Sequence, residues 1–269
     1  MTYIGSAQAQ LEPAFQNPDI GERFNAAIET IGKDHQPSRS PFFRHLAELP
    51  TDVARDPDML GRIHLVYQAA MHATRAAVYF MPHLDSPALR KRKLTIFVDD
   101  DGLPGGDTHH YQLTRAFRNL GAKLLLEDED FGAADELVRH LDPDTARFAR
   151  LSAKLYSRSL GPWCVVENLS VDWMRGLADG LAVHFPSIVD EPYFAECFSQ
   201  CVEERHAEEA LEVTTMVLRR RPDLYSETVA DAKQMAEALD GVWHRLNRIV
   251  TAAEIAHQHD RAGHVKHAF

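Results

Sequence analysis

The chain has 269 residues, of which 45% are hydrophobic, and it carries a formal net charge of −11 at pH 7. This composition is ordinary for a globular protein with a sizeable core. The basic stretches are short and acidic residues surround them, so the positive surface that grips phosphate backbones is missing and no nucleic-acid partner is expected. No run of about 18 apolar residues occurs, which predicts that no helix spans a membrane.

The N-terminus and the cysteines bear on the cellular compartment. The first residues have neither the basic region nor the apolar region of a signal peptide. The three cysteines are an odd and sparse set, which argues against a disulfide scaffold and fits a reducing compartment. We therefore expect a cytoplasmic protein.

Helical spacing organises nearly the whole chain. Residues 1–20 are mixed and contain proline, which predicts an N-terminal arm. A helical period begins at residue 21 and recurs to about residue 255, so residues 21–269 are expected to form a single domain. After a first helical stripe of Phe24, Ala27, Ile28 and Ile31, further helices are predicted at 58–80, 87–99, 131–141, 144–158, 162–184, 190–220 and 223–255.

One more helix follows the glycine-rich loop after residue 101, with Asp107 or Thr108 as its N-cap and Gly121 as its C-cap. Residues 94–98 alternate like a strand, but the chain offers no second strand to pair with them, so a helix is preferred there. The sequence therefore predicts an all-α bundle of about eight to ten helices.

Polar residues interrupt the pattern of helix 190–220. Phe194, Phe198, Cys201, Val202 and Leu211 mark its inward side, and Ser199, Glu203 and His206 form an adjoining stripe. The Glu203-x-x-His206 spacing puts a carboxylate and an imidazole one turn apart, as in bundle proteins that hold two iron or manganese ions. The spacing is common in helices rich in Glu and His, and a solvated face is the alternative interpretation.

Glu167 directly follows the apolar run 163–166, which indicates that its carboxylate is buried. A buried carboxylate is costly unless it is paired, protonated or bound to a metal. A salt bridge to Arg175 or Arg205 is the alternative to a metal site.

The junction of residues 99–110 joins three aspartates to His109 and His110. Its simplest interpretation is a charged surface turn. However, His110 shares a stripe with Leu113 and Phe117, which places it on the core side, and His109 fits an almost equally good stripe. The sequence does not choose between the two histidines.

The remaining sequence holds no nucleophile elbow, P-loop or dinucleotide-binding glycine motif. Four residues are candidates for lining a substrate pocket, because they lie in inward phase on core helices: His64, Tyr67, His72 and Trp243. The histidines among them are also compatible with surface or hydrogen-bonded core positions.

These features occur in an order that resembles the haem-oxygenase-like dimetal oxidases and oxygenases. The resemblance covers residues 55–250 and is carried by Asp99-Asp100-Asp101-Gly102, His110-x-x-Leu113-x-x-x-Phe117, Leu160-Gly161 leading to Glu167, and Tyr193-Phe194 leading to Glu203-x-x-His206. It implies a helical fold of the haem oxygenase type that binds no haem. It also implies two irons between core helices, with manganese as the alternative metal, and dioxygen-dependent oxidation of a small amine, amino acid or fatty-acid-like metabolite.

The resemblance also implies a ligand set. Asp100 stands at the first carboxylate position, His110 at the first histidine with His109 as the fallback, and Glu167 at the mid-chain glutamate. Glu203 and His206 fall on the last ligand helix. Ser199 stands where the family has the first of two histidines on that helix, and it is a substrate-pocket candidate instead. Five of the six positions can still coordinate a metal, with Glu167, Glu203 and His206 as the expected catalytic residues.

Two other functions remain open at this level. The first is a metal-independent enzyme on the same fold, like the thiaminase-type or quinone-cofactor-forming relatives, in which buried His and Glu act as acids and bases. Cys164 has no evident base beside it to make it a nucleophile. The second is a degenerate member that binds a ligand or protein partner without catalysis. Folds of this class often pair through an exposed helix face, so a homodimer is one expected arrangement.

Overall fold

The structure, a computed structural model, describes residues 19–75, 81–101, 107–125, 141–198 and 202–266. Within these ranges the chain is helical and has no strand, which confirms the predicted all-α bundle. In chain order the α-helices are α1 (Asp19–Asp34), α2 (Pro41–Glu48), α3 (Thr51–Ala54), α4 (Pro57–Arg75), α5 (Pro87–Asp101), α6 (His109–Asn119), α7 (Pro143–Tyr156), α8 (Gly161–Ala182), α9 (Pro192–Phe198), α10 (Val202–Arg220) and α11 (Tyr225–Lys266).

Local signals placed several helix ends correctly. The Thr108 side chain accepts a hydrogen bond from the backbone N–H of Tyr111, as an N-cap does. Gly121 has φ +85°, the left-handed conformation expected of a C-cap glycine. Residues 94–98 lie inside α5, so the preference for helix there is confirmed. Residues 131–140 of the predicted helix 131–141 fall outside the described residues, as do residues 199–201 between α9 and α10 and the predicted arm up to residue 18.

Helix α8 occupies the centre of the bundle and packs against α2, α10 and α11. Its first turns are buried on every side, from Trp163 through Glu167. A helix that is apolar all round is expected to be enclosed by other helices. The long helix α11 runs along α8 and also contacts α4 and α7. None of the described helices combines the length and the apolar character needed to cross a membrane.

The contact between α8 and α11 depends on Gly161. A Cβ atom added there would lie 1.9 Å from the carbonyl oxygen of Thr228, which is backbone and cannot rotate away. We expect Gly161→Ala to lower the free energy of unfolding by about 2 kcal/mol, because overpacking forces the two helices apart. Urea denaturation followed by circular dichroism measures the change.

Gly241 provides the matched control on α11. A Cβ added at this exposed helical position meets nothing within 4 Å. Gly241→Ala is expected to raise the free energy of unfolding by about 0.5–1 kcal/mol, because alanine is the better helix former. Equal effects of the two substitutions would contradict the packing account of Gly161.

Candidate metal centre

Helix α10 presents Glu203 and His206 to the interior. Its buried face continues through Ala210, Val213 and Val217, at the spacing of one helical stripe. Val202 and Leu211, which were predicted on the inward side, are only half-buried, although Leu211 packs against the core. Glu203 and His206 form the first part of the side of α10 that faces the core. Apolar character alone therefore indicated the edge of the buried face and not its centre.

Glu167 of α8 meets these two residues across the packed pair of helices. Each of the three side chains offers one ligand atom, and those atoms all lie within 4.8 Å of one another. The exposed fractions are 8% for Glu167, 4% for Glu203 and 3% for His206. The structure thus gathers the three residues that the sequence analysis named as catalytic into one buried cluster, which we call the Glu–Glu–His cluster.

The Glu203 carboxylate is held in its charged form. Burial raises its pKa, but the nearby imidazole of His206, the charge of His109 and a hydrogen bond from Ser170 together outweigh burial, so the pKa lies below its usual value. His206 Nδ1 lies 3.8 Å from Glu203 Oε2, and Ser170 Oγ lies 3.3 Å from the same oxygen. The other oxygen, Oε1, is buried and has no hydrogen-bond partner among the described residues.

Glu167 is also surrounded by donors, although not by the predicted ones. Trp163 Nε1 donates to its Oε1 at 2.8 Å, and Lys93 Nζ lies 3.7 Å from the same oxygen. The predicted salt bridge to Arg175 is wrong, because Arg175 pairs with Glu204 at 3.0 Å. The alternative partner Arg205 is exposed. A lysine from α5 takes the place that the sequence analysis gave to an arginine.

Lys93 contacts the cluster and was not predicted from the sequence. Its side chain is 1% exposed, and its ammonium group lies 4.6 Å from the centre of the Trp163 ring. It belongs to the run Arg90-Lys91-Arg92-Lys93, which resembles a solvated basic patch. The one available signal was its position two helical turns before Asp100, because residues seven apart share a helix face.

The two histidines at the start of α6 are both buried but have different neighbours. His109 stacks edge-to-face on Tyr193, with ring centres 5.9 Å apart, and its charge acts on Glu203. His110 Nδ1 lies 2.7 Å from Gln68 Oε1. Gln68 Nε2 donates to the His110 carbonyl oxygen at 2.9 Å, which fixes Oε1 as the acceptor facing the ring. These contacts hold the His110 ring in place, and neither His109 nor His110 belongs to the Glu–Glu–His cluster.

His64 belongs to the same buried network. Its Nε2 lies 3.1 Å from Thr114 Oγ1 and 3.3 Å from Gln68 Nε2. Burial, assisted by the positive charge of Arg118, lowers the pKa of His64 to about 3. His64 is therefore a neutral, hydrogen-bonded core residue at neutral pH.

The other pocket candidates lie among aromatic side chains. Tyr67 Oη is 3.4 Å from Tyr193 Oη, and the Tyr67 ring centre is 6.5 Å from that of Trp243. The side chains of Tyr67 and Trp243 are fully buried. The side chains of Asp100 and His72, and the whole of Ser199, lie outside the part of the chain that the structure describes.

Cys164 is unsuited to nucleophilic chemistry. It is fully buried one turn before Glu167, and its Sγ lies 2.9 Å from Thr214 Oγ1. Burial raises the pKa of its thiol to about 12, so the thiolate is scarce at neutral pH. This agrees with the expectation that no base activates this cysteine.

Comparison with known proteins does not add a relative. No model of a protein family matches the chain, and no curated protein matches it either. The haem-oxygenase-like resemblance therefore stays a prediction from the sequence.

Proposed function

We propose that the protein is a non-haem iron enzyme that uses dioxygen to oxidise a small amine, amino-acid or fatty-acid-like metabolite. The observation that supports this proposal most is the buried Glu–Glu–His cluster, whose ligand atoms lie within 4.8 Å of one another. Burying two carboxylates side by side is unfavourable unless a positive charge lies between or beside them.

The donor set fits a divalent metal ion. Two carboxylate oxygens and an imidazole nitrogen suit iron or manganese. The partnerless Oε1 of Glu203 is a buried acceptor that a cation would satisfy. Iron held by these residues would supply the chemistry that activates dioxygen.

The chain's own residues would prepare this site. Glu167 and Glu203 would bind through oxygen and His206 through nitrogen. Trp163 fixes the orientation of Glu167 by donating to one of its oxygens. The buried rings of Tyr67, Tyr193 and Trp243 would help to exclude water from the interior, which would protect an oxidising reaction from solvent.

One observation favours a metal-independent enzyme as the second candidate. The ion pair of Lys93 with Glu167 already supplies a positive charge to the cluster, so acid–base chemistry by His206 and the two glutamates is compatible with charge balance. A reaction that survives strong chelation would support this candidate over the iron enzyme.

Metal binding is the direct test of the proposal. The purified protein, reconstituted with ferrous iron without oxygen, is expected to retain iron on gel filtration. It should also melt at a higher temperature, because a ligand at about 100 times its Kd stabilises the folded state by about 2.7 kcal/mol. The double variant Glu203→Ala, His206→Ala should lose both effects.

Glu208→Ala serves as the control, because Glu208 is an exposed glutamate on the same helix. It is expected to retain iron like the unmodified protein. The proposal fails if the double variant binds as much iron as the Glu208→Ala variant. A change in the optical spectrum of the ferrous protein on exposure to dioxygen would then extend metal binding to the proposed reactivity.

A further inference from the structure

Lys93 is an unusual component of a metal-binding cluster. A lysine side chain is almost never fully buried unless it is paired, and Lys93 is 1% exposed. Its ammonium faces Glu167 Oε1 at 3.7 Å and the face of the Trp163 ring at 4.6 Å. Both contacts favour a positive charge at this point.

The position of Lys93 is built into the packing of α5. Its neighbour Arg92 binds both Glu209 and Glu212 of α10 through its guanidinium group. These ion pairs fasten α5 to the helix that carries Glu203 and His206. The next residue on α5 is thereby directed inward, toward α8. Lys93 is consequently part of the same assembly of helices as the Glu–Glu–His cluster.

The charges of the Glu–Glu–His cluster and of Lys93 indicate how many metal ions the site can hold. The two carboxylates contribute two negative charges, and the Lys93 ammonium removes one of them. A single divalent cation then leaves one net positive charge with His206 neutral. A second divalent cation would leave three positive charges in a buried site, at a high electrostatic cost unless further anionic ligands joined it.

We propose that the cluster binds one divalent cation, and that the Lys93 ammonium supplies the charge that a second metal ion would supply. The inference rests on the proposed function, because it requires that the cluster binds a metal. Lys93 is a positioning and charge-balancing residue here, since it reaches the metal only through Glu167.

The metal-free protein is titrated with Mn²⁺, and free Mn²⁺ is followed by electron paramagnetic resonance. We expect one Mn²⁺ per chain, removed by the Glu203→Ala, His206→Ala double variant. Lys93→Met should bind that ion at least about tenfold more tightly, because the competing cation beside Glu167 is gone. Lys93→Arg, which keeps the charge, and Lys91→Met, at an exposed position of α5, should bind as the unmodified protein does.

The outcomes separate this inference from the proposed function. Two Mn²⁺ ions per chain, both lost in the double variant, would overturn the one-ion site. An affinity of Lys93→Met within about threefold of the unmodified protein would overturn the role of Lys93 while leaving metal binding intact. Absence of binding in the unmodified protein would overturn both proposals. Circular dichroism establishes that each variant folds, and Lys93→Gln replaces Lys93→Met if the latter does not.

Discussion

Acidification below about pH 6.5 is expected to destabilise the protein through His64, by about 1.4 kcal/mol for each pH unit. His64 is fully buried, and its pKa is lowered from the usual 6.5 to about 3. Between these two values the unfolded chain takes up a proton at His64 and the native protein does not. The free energy of unfolding therefore falls as the pH falls through this window, by several kcal/mol in total.

Burial is the main cause of this effect, since an imidazolium inside the network with Thr114 and Gln68 would lose its hydration. The positive charge of Arg118 adds to it. Urea denaturation at several pH values above and below 6.5 gives the slope. His64→Gln keeps a polar side chain at this position but cannot titrate. The slope of its unfolding free energy against pH should therefore be smaller by the amount that corresponds to about one proton.

His244→Gln is the control, because His244 is exposed on α11. It should retain the slope of the unmodified protein. If the free energy of unfolding of His64→Gln and of the unmodified protein has the same slope between pH 6.5 and 4, the prediction that His64 is buried in its neutral form is wrong.

The fold could be predicted where local chemistry decides it. Thr108 and Gly121 mark the region of α6 because a capping hydroxyl and a left-handed glycine act within one turn. The strand-like alternation of residues 94–98 was outweighed correctly, since a strand needs a partner and none was available. The inward side of α10 was predicted only in part, because a polar stripe facing a polar cluster breaks the rule that buried positions are apolar.

The candidate site could be predicted only in part, for a related reason. Glu203 and His206 are one turn apart, so their proximity follows from helix geometry alone. The buried partner of Glu167 comes from α5, more than seventy positions earlier in the sequence, and local spacing carries no information about it. Lys93 differs from its exposed neighbour Lys91 only because α5 packs against α10 and directs the Lys93 side chain toward Glu167 and Trp163.

Replacing Trp163 with phenylalanine is expected to weaken metal binding by about 10–100-fold, the usual effect of losing a residue that orients a metal ligand. The indole Nε1 donates to Glu167 Oε1 at 2.8 Å. This hydrogen bond fixes the plane of the carboxylate and therefore the direction of its second oxygen. Phenylalanine cannot donate. The buried carboxylate would also lose a hydrogen bond, which costs about 1.5–3 kcal/mol of stability.

Trp243→Phe provides a matched control for this substitution. Both tryptophans are 1% exposed, but Trp243 Nε1 has no hydrogen-bond partner within the described residues. Its replacement removes ring contacts with Trp173 and Phe43 and no hydrogen bond to the cluster. We expect Trp243→Phe to lower stability through packing alone and to leave the Mn²⁺ affinity unchanged.

The sign of the effect distinguishes the two residues that meet at Glu167 Oε1. Trp163 is a neutral donor that orients the carboxylate, so its loss should weaken metal binding. Lys93 is a cation that competes with the metal for the same charge, so its loss should strengthen binding. Mn²⁺ titration of Trp163→Phe and Lys93→Met under identical conditions compares them. Changes in the same direction would mean that the two side chains act on Glu167 in one way, as general structural supports, and the assignment of separate roles would be wrong.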